Sequence, residues 1–174
     1  HGGHRSSYKG GEILFRAFAD LRNDFPELTL MLAGGGPLLR QEAALAESLG
    51  IRDRVVQQQV PDSLMPSAYA NARAFVFPSQ YEGFGLPAVE AMASGTPMVL
   101  CNSSALPEVG GHAAQYFDAS NPTSLAHQLG SLLSDESLRK HLSEEGPKRA
   151  REFTWDQTAA SMVDVYRQTL DGTS

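Results

Sequence analysis

The most informative segment of the sequence is Phe75-Val-Phe-Pro-Ser-Gln-Tyr-Glu-Gly-Phe-Gly-Leu-Pro-Ala-Val-Glu-Ala-Met-Ala-Ser-Gly95. It predicts a buried strand over residues 74–77, a polar turn with two glycines over residues 79–86, and a helix that Pro87 opens. Proline suits the first helical position because the amide hydrogen that it lacks would have no partner there. We therefore expect the turn to lie at the N-terminus of a helix.

This turn offers two kinds of ligand-binding group. Gly83 and Gly85 allow the backbone to approach a ligand closely, and the amides of residues 84–86 suit an anion such as phosphate. Glu82 and Glu90 flank the turn, and ionised carboxylates accept hydrogen bonds from the hydroxyl groups of a sugar or ribose. The combination indicates a nucleotide-sugar site. A tight turn without a ligand, followed by a solvated helix glutamate, is the alternative that stays open.

Length and composition bound the function classes. At 174 residues the chain is predicted to form one domain, residues 1–174, with a substantial core. A hydrophobic fraction of 41% and a charged fraction of 20% are typical of a globular protein. The formal net charge of −6 argues against nucleic acid or an anionic membrane as the main partner.

Three features bear on location. Cys101 is the only cysteine, so no internal disulfide is possible, which fits a reducing compartment. No apolar run approaches the roughly 18 residues of a membrane span, and no secretory leader is visible. The chain begins at His1-Gly-Gly rather than with methionine, and we expect it to be a piece of a longer protein.

Along the chain, helical and strand patterns alternate, which favours parallel βαβ units whose ligands bind at the carboxyl ends of the strands. Gly146-Pro147 is expected to interrupt or kink the penultimate helix, and Trp155 is expected in the core. Strands are predicted over residues 28–33, 55–60, 74–77, 97–101 and 114–117. Helices are predicted over residues 12–25, 41–49, 62–69, 106–109, 121–133 and 154–170. Two further helices are predicted to begin at Pro87 and at Asp135.

Arg5 and Lys9 lie in a polar, glycine-rich segment just before the first predicted helix. A guanidinium and an ammonium group there would neutralise a diphosphate. Since the sequence contains no Asp-x-Asp pair to hold magnesium, a diphosphate site would need such a source of positive charge. Two solvated loop cations are the alternative.

Taken together, these segments resemble the C-terminal half of the retaining GT-B glycosyltransferases of family 4, the group 1 transferases. The resemblance implies an α/β fold, with a Rossmann-like doubly wound parallel sheet. The matching segments run in family order along almost the whole chain: Tyr8-Lys-Gly10, Gly34-Gly-Gly-Pro37, Pro78-Ser-x-Tyr-Glu-Gly-Phe-Gly-Leu-Pro87, Glu90-Ala-Met-Ala-Ser-Gly-Thr-Pro97, Leu106-Pro-Glu-Val109 and Phe153-Thr-Trp155.

The resemblance implies roles for both glutamates of the motif. Glu82 corresponds to a carboxylate that lies against the donor sugar, and Glu90 to one that holds the ribose hydroxyls. The amides of residues 84–86 correspond to those that hold the distal phosphate. The residues assigned to the donor through this turn are Gly83, Phe84, Gly85 and Leu86.

Further roles follow for residues on other loops. Lys9 corresponds to the diphosphate-binding lysine, and Arg5 to its companion arginine, although it lies four residues before Lys9 where many members have five. Gln59 and Val60 stand in the loop that grips the base, and Gly36 is assigned to the donor. Glu82, Lys9 and Arg5 are the residues expected to act in catalysis.

The implied reaction transfers a hexose from a nucleoside diphosphate to a hydroxyl of a glycan or a lipid-linked acceptor, with the anomeric configuration retained. A UDP-sugar is the first expected donor and GDP-mannose the second, with no cofactor and no metal. The N-terminal domain that shapes the acceptor site is missing from this chain, and the helix at about residues 154–174 is expected to cross to it. We expect a cytoplasmic protein that contacts a membrane, if at all, through that missing domain.

Other functions remain open at this point. They are a non-catalytic nucleotide-binding domain and a GT-B nucleotide-sugar epimerase. A dinucleotide oxidoreductase would share the architecture, but Gly34-Gly-Gly-Pro37 lacks the Gly-x-Gly-x-x-Gly spacing.

Overall fold

The computed structural model describes residues 10–34, 36–121, 123–170 and 172. Helices and strands alternate as predicted, with short turns of 3-10 helix between some of them. The helices are α1 (Gly11–Asp20), α2 (Arg40–Ser48), α3 (Met65–Ala70), α4 (Leu86–Ala93), α5 (Leu106–Gly110), α6 (Ser124–Ser134), α7 (Glu136–Ala150) and α8 (Trp155–Leu170). The strands are β1 (Leu30–Ala33), β2 (Val55–Gln58), β3 (Phe75–Phe77), β4 (Met98–Cys101) and β5 (Gln115–Phe117).

Every strand pair is parallel, which confirms the predicted α/β architecture. The strands form two sheets, one in the order β1-β2 and the other in the order β3-β4-β5. Within the described residues, no ladder of hydrogen bonds joins the two sheets. One edge of each outer strand, β1, β2, β3 and β5, therefore has no strand partner there.

The main core surrounds β4. All four residues of this strand are fully buried, as its continuous apolar run predicts for a strand that is covered on both faces. The buried faces of several helices close over it. Large residues in this core include Met92, Leu106, Leu125 and Leu132.

Helix α1 connects the two sheets through two adjacent sectors of its surface. Leu14 and Leu21 pack in the core around β4. Phe15 and Phe18 pack instead in a second cluster, which contains Val55 at the start of β2. Because one helix contributes to both clusters, it holds the two-stranded sheet beside the three-stranded one.

Helix α7 continues through Gly146 and Pro147 to Ala150, so the predicted interruption is wrong. A Cβ atom on Gly146 would lie 3.1 Å from the carbonyl oxygen of Met92, which shows how closely α7 packs on α4. The hydroxyl of Ser143 also donates a 2.6 Å hydrogen bond to the carbonyl of Gly95. Packing against α4 therefore outweighs the local preference of proline to break the helix.

Helix α8 is present as predicted, and the side chain of Thr154 caps it by accepting a 3.2 Å hydrogen bond from the amide of Gln157. However, the prediction that Trp155 lies in the core is wrong, because 85% of this residue is exposed. No residue of α8 is buried. Its apolar side chains need a partner to be covered, and the sequence pattern alone does not reveal whether one is present.

Candidate functional site

The turn between β3 and α4 has the conformation that its glycines indicate. Helix α4 begins at Leu86, one residue earlier than predicted, so Pro87 is its second residue. Gly85 precedes it with φ of 99°, in the left-handed region. The left-handed backbone favours glycine, and the space is tight as well, because a Cβ atom on Gly85 would lie 2.8 Å from Cδ2 of Leu106.

The amides of this turn are available to a ligand. Among the described residues, no protein acceptor takes a hydrogen bond from the amides of Phe84, Gly85 or Leu86. The first amides of a helix carry partial positive charge and have no partner within the helix. These amides lie at the N-terminus of α4, which is eight residues long, and they can bind an anion such as a phosphate by donating hydrogen bonds to it.

Glu82 is half-buried, and its backbone is held from the loop after β4. Its amide donates a 3.3 Å hydrogen bond to Oγ of Ser104, and that hydroxyl donates a 2.6 Å bond back to the carbonyl of Glu82. The hydroxyl of Ser103 donates a 2.6 Å bond to the carbonyl of Gln80. The carboxylate of Glu82 accepts no hydrogen bond from the described residues, which leaves its oxygens open to a ligand.

Glu90 lies on α4 with its side chain exposed, and Tyr69 of α3 orients it. The Tyr69 hydroxyl donates a 3.2 Å hydrogen bond to Oε2 of Glu90. Burial, and secondarily the charge of Glu90, raise the pKa of Tyr69 well above its ordinary value, so this tyrosine stays protonated as a donor. Sequence reasoning did not single out Tyr69, because nothing in the sequence places it beside a residue 21 positions later.

Two other loops carry predicted donor-binding residues. Gly36, after β1, has φ of 72° and is half-buried. Gln59 and Val60 directly follow β2, the first exposed and the second half-buried. These two loops lie together, since β1 and β2 are parallel neighbours and the side-chain amide of Gln57 donates to the carbonyl of Gly34.

Arg5 and Lys9 lie outside the described residues. Gly10, which follows Lys9 in the sequence, is buried with φ of 70°. A Cβ atom on it would lie 2.2 Å from the carbonyl oxygen of Pro78, so its backbone lies against the end of β3. The start of α1 is thus in contact with the turn between β3 and α4, residues 78–85, which we call the motif turn.

A groove of about 540 Å³ lies beside the motif turn, between Phe84 and α8. The ring of Phe84 packs edge-on against Phe153, with 5.6 Å between the centroids, and so connects the turn to the segment before α8. The guanidinium of Arg149 covers Phe153 at 4.9 Å from the ring centroid. Tyr81 is 74% exposed and does not pack the turn. Phe84 therefore has a packing role, beside the role in donor binding that stays a prediction.

Two kinds of feature are absent from the described residues. No three His, Cys, Asp or Glu side chains are grouped so that they could hold a metal ion. No helix has the length and apolar character that crossing a bilayer requires. Whether the reaction is independent of metal stays a prediction.

With this geometry in view, comparison with known proteins gives the family. The sequence model described as "Glycosyl transferases group 1" matches residues 3–149. The chain belongs to this family. The resemblance inferred from the motifs is thereby confirmed.

Curated relatives of the family match most of the chain. A D-inositol 3-phosphate glycosyltransferase of Corynebacterium jeikeium is 34% identical over 171 residues, covering 92% of this chain and 41% of its own length. An MMP alpha-(1->4)-mannosyltransferase of Mycolicibacterium hassiacum is 38% identical over 170 residues, covering 93% of this chain and 40% of its own length. The chain thus spans less than half the length of these relatives.

Solved structures agree on the fold. A sucrose-phosphate synthase from Thermosynechococcus elongatus superimposes with a TM-score of 0.81 at 28% identity, covering 98% of this chain and 45% of that one. The catalytic domain of a cholesterol-alpha-glucosyltransferase from Helicobacter pylori superimposes with a TM-score of 0.76 at 23% identity, covering 88% of this chain and 96% of that one. These neighbours support the Rossmann-like GT-B assignment.

Proposed function

We propose that this chain is the donor-binding domain of a retaining glycosyltransferase, which transfers a hexose from a nucleoside diphosphate to a hydroxyl of a glycan or a lipid-linked acceptor. One observation carries the proposal: the turn before α4 combines unpaired amides at residues 84–86 with the open carboxylate of Glu82. Amides suit the phosphate of such a donor, and carboxylates suit its hydroxyl groups. Membership of the group 1 glycosyltransferases supports the same function.

In this proposal the chain acts mainly by electrostatic stabilisation of the departing diphosphate. The amides of residues 84–86 hold the distal phosphate, and Lys9 with Arg5 supplies positive charge in place of a metal ion. Glu82 lies against the sugar. Glu90, oriented by Tyr69, holds the ribose hydroxyls.

The donor is proposed to be a UDP-sugar or GDP-mannose, whose base lies by Gln59 and Val60, with Gly36 close to the donor. A UDP-sugar is the first candidate and GDP-mannose the second; two relatives named as mannosyltransferases support keeping GDP-mannose. The acceptor is bound by an N-terminal domain in the longer protein, and the exposed apolar side of α8 supports the idea that this helix crosses to it. We propose a cytoplasmic location, which the single cysteine favours.

The test replaces Glu90 by Gln and measures affinity for UDP and GDP by calorimetry. One acceptor oxygen of the ribose site becomes an amide, and we expect about a tenfold loss of affinity for the nucleotide that the wild type binds. Glu47→Gln is the matched control, since Glu47 is an exposed glutamate on α2. Unchanged affinity in Glu90→Gln would remove this residue from the site.

The role of Lys9 has a separate test. Lys9→Ala should weaken binding of the nucleoside diphosphate far more than binding of the bare nucleoside, because only the former presents the phosphates. Equal losses for UDP and uridine would contradict the assignment.

Stabilisation of the wild type by NAD alone in a thermal-shift panel would favour an oxidoreductase instead.

A further inference from the structure

Ser104, in the loop between β4 and α5, has an unusual backbone. Its φ of 56° lies in the left-handed region, and among the described residues it is the only one other than glycine with positive φ. Serine occupies this region at a cost in free energy, which the surrounding contacts must offset. Its side chain shows where these contacts are.

The hydroxyl of Ser104 holds both backbone polar groups of Glu82. It accepts the hydrogen bond from the amide at 3.3 Å and donates one to the carbonyl at 2.6 Å. Two hydrogen bonds from one hydroxyl to the same residue fix the position of its Cα atom, from which the carboxylate extends. Glu82 and Ser104 are 22 positions apart, so this contact joins the carboxyl ends of β3 and β4.

Two neighbouring contacts fasten the same turn. The hydroxyl of Ser103 donates to the carbonyl of Gln80 at 2.6 Å, on one side of Glu82. On the other side, Leu106 lies so close to Gly85 that a Cβ atom there would come within 2.8 Å of it. Between these anchors, Gly83 has open space around it and would otherwise leave the turn free to change conformation.

We propose that Ser104 is a positioning residue for the donor, one that holds Glu82 and the following amides in place before the donor binds. This inference rests on the proposed function. It predicts that the hydroxyl of Ser104 contributes to binding of the sugar and distal phosphate and not to binding of the ribose and base, which lie with Glu90 and with Gln59 and Val60. A hydroxyl that only stabilises the fold would affect both parts of the donor alike.

The test uses Ser104→Ala and Ser104→Gly in the 174-residue chain. Both variants lose the hydroxyl, but only glycine also relieves the left-handed backbone. Affinities are measured by calorimetry for UDP-glucose and UMP, and in parallel for GDP-mannose and GMP. In both variants we expect affinity for the nucleotide-sugar to fall about tenfold, while affinity for the monophosphate stays within about twofold. Hydrogen exchange of the Glu82 amide should become faster in both, because this amide loses its acceptor, the Ser104 hydroxyl.

Ser143→Ala is the matched control, because the Ser143 hydroxyl makes a 2.6 Å bond to the carbonyl of Gly95, away from the turn. It should lower thermal stability without changing either affinity. Equal losses for UDP-glucose and UMP, a loss in Ser104→Ala that Ser104→Gly restores, or no loss at all would overturn the role of Ser104 while leaving the proposed function intact. A wild type that binds neither nucleotide-sugar would overturn both.

Discussion

The hydroxyl of Tyr69 donates a 3.2 Å hydrogen bond to the carboxylate of Glu90, and so joins α3 to α4 at the proposed ribose site. The tyrosine is buried and its ring packs edge-on against Phe75, with 5.4 Å between the centroids. Its position is therefore fixed by packing that does not depend on the hydrogen bond. The carboxylate of Glu90 lies on the exposed side, and the hydrogen bond from the tyrosine restricts its position.

Tyr69→Phe keeps this ring packing and removes only the donor. We expect affinity for the nucleotide to fall about 2- to 10-fold and the free energy of unfolding to fall by about 1 kcal/mol. Calorimetry with UDP and GDP, together with urea unfolding, measures the two effects. Tyr116→Phe is the control: the Tyr116 hydroxyl donates a 2.7 Å bond to the carbonyl of Gly111, and burial raises its pKa to about 12. Tyr116→Phe should lower the stability of the protein without changing its affinity for the nucleotide. An equal loss of affinity in both variants would contradict the role of Tyr69.

Gly10→Ala should damage the fold at the start of α1. Its Cβ atom would lie 2.2 Å from the carbonyl of Pro78, and φ of 70° adds the cost of the left-handed region. We expect the free energy of unfolding to fall by about 2–5 kcal/mol. Gly50→Ala separates the steric clash from the cost of the left-handed backbone. Gly50 has φ of 67°, but no atom lies within 4 Å of the added Cβ. This substitution should therefore lower the free energy of unfolding by only about 1–2 kcal/mol. Equal losses in denaturant unfolding would show that Gly10 and Pro78 are not in close contact.

The apolar side of α8 should tolerate charge in this chain. Val165 is 58% exposed, and Val165→Glu should change the free energy of unfolding by less than about 0.5 kcal/mol. Leu132 on α6 is fully buried, and Leu132→Glu should cost about 3 kcal/mol or more, because it buries a charge. Denaturant unfolding of both variants gives the comparison. A large loss in Val165→Glu would mean that α8 packs against the rest of the chain.

Asp135 makes the stability of α7 depend on pH. Its carboxylate accepts hydrogen bonds from the hydroxyl of Ser137 at 2.6 Å and the amide of Leu138 at 3.0 Å, and these bonds lower its pKa. A lowered pKa means that the charged form stabilises the folded state above the ordinary aspartate pKa of about 3.9, and that this contribution is lost as the pH falls through the lowered value.

Melting temperatures of the wild type and Asp135→Asn between pH 7 and pH 2 test this effect. Asparagine also caps helices but does not titrate, so the advantage of the wild type should shrink as the pH falls below about 4. Asp24→Asn, at an exposed residue that caps no helix, is the control for the loss of one surface carboxylate. A difference between wild type and Asp135→Asn that is independent of pH would contradict the prediction.

Local sequence signals predicted much of the fold and the motif turn. The apolar run of β4 is buried from end to end, and the glycine and proline pattern correctly placed the turn before α4 to within one residue. These features depend on neighbours in sequence, where periodicity and backbone preference act directly. The cap of α8 is equally local, since Thr154 and Gln157 are three positions apart.

Features that depend on distant contacts were not predictable. The exposure of Trp155 depends on what covers α8, and the continuity of α7 through Pro147 depends on its packing against α4. Likewise the bonds from Tyr69 to Glu90 and from Ser104 to Glu82 join residues more than 20 positions apart. No periodic pattern encodes such pairs.

Within the part of the chain that the structure describes, the unpaired edges of β1, β2, β3 and β5 have a practical consequence for anyone who prepares this polypeptide. Each presents a row of backbone donors and acceptors that can pair with a strand of another molecule. Concentrated samples are therefore at risk of aggregation through β-strand addition, and solubility should improve when a fused strand-forming segment covers these edges.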